Sequence, residues 1–99
     1  MNITKTNEGG KFTIALDGRL DTTTAHQLQE AMLPAFDVEK DIFLDIARLE
    51  YVSSAGLRVL LMGEKTAKAK GGSMSLCNVS DEIMEVLAIT GFNEILTIV

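Results

Sequence analysis

Hydrophobic positions first fall in two short runs, Ile3 and then Phe12, Ile14 and Leu16, with Asn7-Glu8-Gly9-Gly10 between them. Alternation puts every second side chain on one face of a strand, and a polar stretch ending in two glycines suits a tight turn, so the pattern predicts a hairpin. From Asp21 the spacing changes. Ala25, Leu28, Met32 and Phe36 recur every three or four residues, the period of an amphipathic helix, and Thr24 with Gln27 has the spacing of a capping box. Pro34 lacks an N–H, which predicts that this helix kinks or ends near Leu33.

Ile42-Phe43-Leu44-Asp45-Ile46 is almost continuously apolar. That is the character of a strand covered on both faces, and it is expected at the centre of the sheet. A second helix is predicted over 55–70. Its first half is apolar on nearly every side, Glu64 and Lys68 are spaced to pair across one turn, and Gly71-Gly72 stops it. Leu57, Leu60 and Leu61 are expected in the core, and Val59 and Met62 under a neighbouring helix. Residues 73–79 alternate as a strand. Ser80-Asp81-Glu82 then supplies a cap and an acidic first turn for a helix carrying Ile83, Val86 and Leu87, with Gly91 at its end. Residues 94–99 read as a last strand. The predicted order is β-β-α-β-α-β-α-β, and its alternating part argues for an α/β fold with parallel crossovers and helices packed on the sheet.

Composition narrows this picture. A chain of 99 residues with 46% hydrophobic and 23% charged residues has the make-up of one folded domain, spanning 1–99, and not of a disordered segment. No run approaches the ~20 apolar residues of a membrane span, and the N-terminus has no basic region leading into an apolar one, so a cytoplasmic location without membrane insertion is expected. Cys77 is the single cysteine and is expected to be a small core residue in a reducing compartment. The net charge of −5 argues against nucleic acid as a target, because phosphate binding needs a basic surface.

The chemistry that remains centres on Leu49-Glu50-Tyr51-Val52-Ser53-Ser54-Ala55-Gly56-Leu57-Arg58. Two hydroxyls stand where the central strand gives way to the second helix. One of them is suited to cap the helix. A serine nucleophile would need a base, but the sequence lacks the first glycine of the G-x-S-x-G elbow and His26 is the chain's one histidine. A hydroxyl at a helix start can instead accept a phosphoryl group, since the free N–H groups and the positive dipole end accommodate the added charge.

In this order and at this length the segments resemble the STAS domains, and within them the bacterial anti-sigma factor antagonists. The resemblance is carried by Leu16-Asp17-Gly18-Arg19-Leu20-Asp21-Thr22-Thr23-Thr24-Ala25 before the first helix and by Ile42 to Val52 leading into Ser53-Ser54-Ala55-Gly56-Leu57. The Gly71-Gly72 pair and Ile89-Thr90-Gly91-Phe92-Asn93-Glu94-Ile95-Leu96-Thr97-Ile98 complete it. It implies a STAS-like single domain with a mixed, mostly parallel sheet. It also implies a non-enzymatic protein without a cofactor of its own, which binds an anti-sigma factor serine kinase and is released when that kinase phosphorylates it. A metal-dependent serine phosphatase resets the cycle, and ATP and metal belong to these partners.

Ser54 matches the phosphorylated serine, with Ser53 as the alternative acceptor. Ala55 replaces a second Ser or Thr, Gly56 and Leu57 match the motif directly, and Ser53 stands where many antagonists carry Asp. Asp21 resembles an acidic kinase-binding position, and also suits a turn or cap carboxylate. The implied partner-binding set is Asp21, Thr22, Ser53, Ser54, Ala55, Gly56 and Arg58. Arg58, four residues after Ser54, could clasp a phosphate there, or pair with Glu50 or with a partner. The alternative implied by the same family is a fixed STAS interaction subunit of a signalling complex or lipid-transport ATPase, in which the serines only cap the helix.

Overall fold

Gly9 and Gly10 both have positive φ, 58° and 83°, and Glu8 pairs directly with Lys11 across them. Two consecutive residues with positive φ make the turn whose twist matches a β-hairpin, and glycine adopts that backbone without a Cβ clash. The hairpin joins β1 (Asn2–Glu8) to β2 (Lys11–Leu20) in a computed structural model that describes residues 1–99. The chain continues as α1 (Ala25–Met32), β3 (Asp41–Val52), α2 (Ser54–Ala69), β4 (Ser73–Cys77), α3 (Asp81–Thr90) and β5 (Thr97–Ile98). Short 3-10 turns at Pro34–Asp37 and Phe92–Glu94 follow α1 and α3.

The five strands lie in the order β1-β2-β3-β4-β5, with β1 antiparallel to β2 and every other neighbouring pair parallel. The mixed, mostly parallel sheet, the element order and the central place of β3 all agree with the sequence reading. One cluster of 22 buried apolar residues joins sheet and helices, with Ile42, Leu44 and Ile46 from β3, Leu28 and Met32 from α1, and Leu57, Val59 and Leu60 from α2. Leu61 and Met62 are only half-buried.

The register between β2 and β3 slips twice, between Ala15 and Asp17 and between Gly18 and Arg19. In each place β3 carries one more residue than β2 between paired positions, as in a bulge, which re-aims the side chains beyond it. The outcome is that Arg19 faces Tyr51 and Leu20 faces Val52 at the end of the sheet where α2 begins.

Four further local expectations differ from the structure. Thr24 does not form a capping box. Its backbone is already helical, its hydroxyl donates to the Arg19 carbonyl at 2.7 Å, and the Gln27 side chain donates to the Met1 carbonyl at 2.8 Å. A capping serine or threonine needs extended backbone, which Thr24 lacks because the preceding turn is closed by Asp21. Glu64 makes no pair with Lys68. It is 4% exposed and its Oε1 accepts a long 3.5 Å bond from the Thr97 hydroxyl, so α2 turns this residue toward β5 and not to solvent. The last strand is just two residues long, because the chain spends Phe92 to Leu96 returning from the left-handed Gly91 at the end of α3. Cys77 is half-buried at the end of β4, with its thiol 3.5 Å from the Leu44 carbonyl.

Candidate docking and modification site

β3 delivers the chain to Ser53 in an extended conformation (φ −93°, ψ 175°), the backbone a cap requires. Ser53 Oγ accepts the N–H of Gly56 at 3.2 Å, satisfying one of the donors that a helix start leaves without an intrahelical acceptor. The choice left open by the sequence is thereby made: Ser53 is the cap. Ser54 is the first helical residue, exposed, with its hydroxyl outside the network of side-chain hydrogen bonds.

The start of α2 sits against the end of β2. The Ser53 N–H donates to the Leu20 carbonyl at 2.9 Å. One turn on, a Cβ on Gly56 would lie 2.7 Å from Leu20 Cγ and 2.9 Å from the Leu20 carbonyl oxygen, closer than real side chains come. Gly56 and Leu57 are buried and Ala55 is half-buried, whereas Arg58 is exposed. Of the residues singled out from sequence, Gly56 therefore fixes the contact and Ser54 and Arg58 are presented to solvent.

The residue after Leu20 is Asp21, so the same contact brings the loop between β2 and α1 beside the serines. Asp21 Oδ1 accepts the Thr23 hydroxyl at 2.7 Å and the N–H groups of Thr23 and Thr24 at 3.0 and 3.2 Å. The Thr23 hydroxyl bond is the main cause that holds the Asp21 carboxyl below its ordinary pKa; partial burial opposes it, and the two N–H groups and the Thr24 hydroxyl add to it. Thr22, between these anchors, is exposed.

Two residues that the sequence reading did not single out complete the surface. The Arg19 guanidinium lies 4.2 Å from the centroid of the Tyr51 ring and its Nε is 3.7 Å from Asp21 Oδ2. Tyr51, 41% exposed, thus joins the acidic loop through one cation. Arg19 and Tyr51 are far apart in sequence and only the register of β2 on β3 makes them neighbours, so no local pattern could have revealed the pair.

Other candidates lie elsewhere. His26 is exposed on α1 and pairs with Glu30, not with either serine. No three His, Cys, Asp or Glu side chains converge as a metal site. Neither Ser53 nor Ser54 lines any of the three surface depressions. No helix is long and apolar enough to cross a membrane.

Comparison with known proteins places the chain by family and fold. Residues 3–98 match the family described as Mlab, STAS domain. BtrV of Bordetella bronchiseptica, which carries the name of an anti-sigma factor antagonist, is 34% identical over 93 residues, covering 93% of this chain and 80% of BtrV. The anti-sigma-B factor antagonist of Bacillus subtilis is 31% identical over 85 residues, covering 86% and 78% of the two chains. Among solved structures, the Bacillus antagonist SpoIIAA superposes with a TM-score of 0.75 in its unphosphorylated form and 0.74 in its phosphorylated form, at 21% identity. Those superpositions cover 99% of this chain and 87% and 91% of the SpoIIAA chains. The chain belongs to the STAS domain family.

Proposed function

We propose that this protein is a cytoplasmic anti-sigma factor antagonist that binds an anti-sigma factor serine kinase and is switched off by phosphorylation of Ser54. The observation that carries the reading is the division of labour between the two serines: Ser53 caps α2, which leaves the exposed Ser54 hydroxyl without a structural task. The names of BtrV and the Bacillus subtilis relative support the antagonist role, and the existence of SpoIIAA in both forms supports a phosphoryl switch.

In this reading Asp21, Thr22, Ser53, Ser54, Ala55, Gly56 and Arg58 form the docking surface, with Gly56 buried beneath it. Ser54 Oγ attacks the γ-phosphorus of ATP held by the kinase. The bond from that phosphorus to the β,γ-bridging oxygen breaks, ADP leaves, and the hydroxyl proton passes to a base on the kinase. A serine phosphatase reverses the state when water attacks the phosphorus and the P–Oγ bond breaks, restoring the hydroxyl. The protein is substrate and switch and supplies no cofactor. Adding about 1.5 to 2 negative charges at the docking surface separates the partners without unfolding the domain. A hundredfold loss of affinity needs just ~2.7 kcal/mol.

The test is mass spectrometry of the native protein from growing and stressed cells, reading the tryptic peptide 49–58 and separating the two serines by fragmentation. Phosphate on Ser54 with condition-dependent occupancy is expected. A peptide unmodified in every condition would favour the second reading, a fixed STAS interaction subunit. In that case Ser54→Ala leaves function intact.

A further inference from the structure

The chain has three arginines, and two of them already face a carboxylate: Arg19 with Asp21, and Arg48 with Asp17 at 3.8 Å. Arg58 is in no ion pair, and the alternative pairing with Glu50 is not formed. Its surroundings on α2 explain why. The helical neighbours of Arg58 at three and four residues are Ser54, Ala55, Leu61 and Met62, and among these the only polar side chain is Ser54. Glu64 is the sole acidic residue of α2 and it is buried against β5.

Ser54, Arg58, Leu61, Met62, Lys65 and Lys68 fall within an arc of about 120° at 3.6 residues per turn. This arc is the side of α2 that the structure leaves exposed or half-exposed, and it carries cations and no anion. Helical side chains lean toward the N-terminus, which for Arg58 is the direction of the turn that holds Ser54. A guanidinium offers paired N–H donors that match phosphate oxygens.

We propose that Arg58 is the residue that holds the phosphoryl group on Ser54, forming an ion pair across one turn of α2. The inference rests on Ser54 as the modified residue and adds how the modified state is held. Without phosphate, Arg58 is a free, exposed cation one turn beyond Ser54. With phosphate, it is captured by the chain's own anion, so one modification both adds negative charge and withdraws a positive group from the surface. Lys65 and Lys68 lie two or more turns further on and are left free.

The experiment uses the full chain with phosphoserine installed at position 54 during translation, so it needs no kinase. Phosphorus NMR titration follows the second ionisation of the phosphate in wild type, Arg58→Ala and Arg58→Lys, and thermal unfolding is recorded for each with and without the phosphate. A bare phosphoserine titrates at about 6. The expected result is a titration midpoint lower in wild type than in Arg58→Ala by at least about half a unit, a smaller depression in Arg58→Lys, and a midpoint that rises with salt. The phosphate should raise the unfolding temperature of wild type relative to its effect on Arg58→Ala. Equal midpoints in wild type and Arg58→Ala overturn the proposal, because any depression would then come from the helix start alone. Absence of phosphate on Ser54 in cells would defeat the proposed switch but leave this titration as measured, so the two failures are distinguishable.

Discussion

Gly56 meets Leu20 at the junction of α2 and β2: a Cβ at position 56 would stand 2.7 Å from Leu20 Cγ and 2.9 Å from its carbonyl oxygen. That same carbonyl accepts the Ser53 N–H. One strand end therefore both seats the helix and anchors the serine pair, and because Leu20 precedes Asp21 the loop between β2 and α1 is tied to the same point. Gly56→Ala must push backbone away as well as a side chain. It is expected to lower stability by roughly 1–3 kcal/mol in urea denaturation, despite alanine's better helix propensity. Wild-type stability in this variant would mean that the end of β2 yields at little cost.

The two serines should separate cleanly in the same assay. Ser53→Ala leaves the Gly56 N–H without its side-chain acceptor and is expected to cost about 1 kcal/mol. Ser54→Ala is an exposed change away from any partner, and is expected to stay within about 0.5 kcal/mol. If the larger loss followed Ser54→Ala, the assignment of the cap would be reversed.

Asp21 makes the loop between β2 and α1 sensitive to acid. Its carboxyl titrates below the ordinary value of about 3.9. The stability it contributes is therefore complete above the unfolded-state value and is lost as pH falls through the lower folded-state value. Carbon NMR of the carboxyl should show the depressed midpoint, and Thr23→Val, which removes the leading hydroxyl bond, should move it up. A midpoint in Thr23→Val equal to that of wild type would contradict this account.

Glu64 carries a carboxylate into the interior with one long bond to Thr97. Glu64→Gln keeps an oxygen acceptor for the Thr97 hydroxyl at nearly the same side-chain size. The variant is expected to unfold at the same or a higher temperature than wild type at pH 7. A marked fall would show that Glu64 has a stronger stabilising role than its single long contact provides.

Cys77 should react slowly. Burial raises its pKa first, the Asp45 carboxylate raises it further, and Lys11 opposes them. Less thiolate is then present at any given pH, so alkylation by iodoacetamide at pH 8 is expected to be slower in the native protein than after unfolding. Equal rates would show that the site is open and unperturbed.

Much of the fold was legible because its signals are local. The two glycines at 9–10, the helical spacing from Ala25, the break at Pro34, the Ser80 cap accepting the Ile83 N–H and the left-handed Gly91 each act within a few residues, where backbone preference and periodicity decide the outcome. Thr24 and Glu64 show where such signals fail. Both sit in sequence patterns that suit a cap and a surface pair; Thr24 is taken instead by Asp21 and Arg19 in its own turn, and Glu64 by the sequence-distant Thr97.

The sequence by itself determined an alternating α/β order, a strand buried at its centre, a pair of serines at the start of a helix, and the family resemblance those segments carry. Only the tertiary structure decided which serine caps and which is free, because that depends on the backbone angle with which β3 enters α2. It alone set Arg19 over Tyr51 beside Asp21, through two register slips between strands distant in the chain. It also left Arg58 without a carboxylate, because the one acid on its helix is turned inward against β5. Local pattern fixes elements, whereas neighbours across a sheet or helix interface are fixed by register and packing, which no single segment encodes.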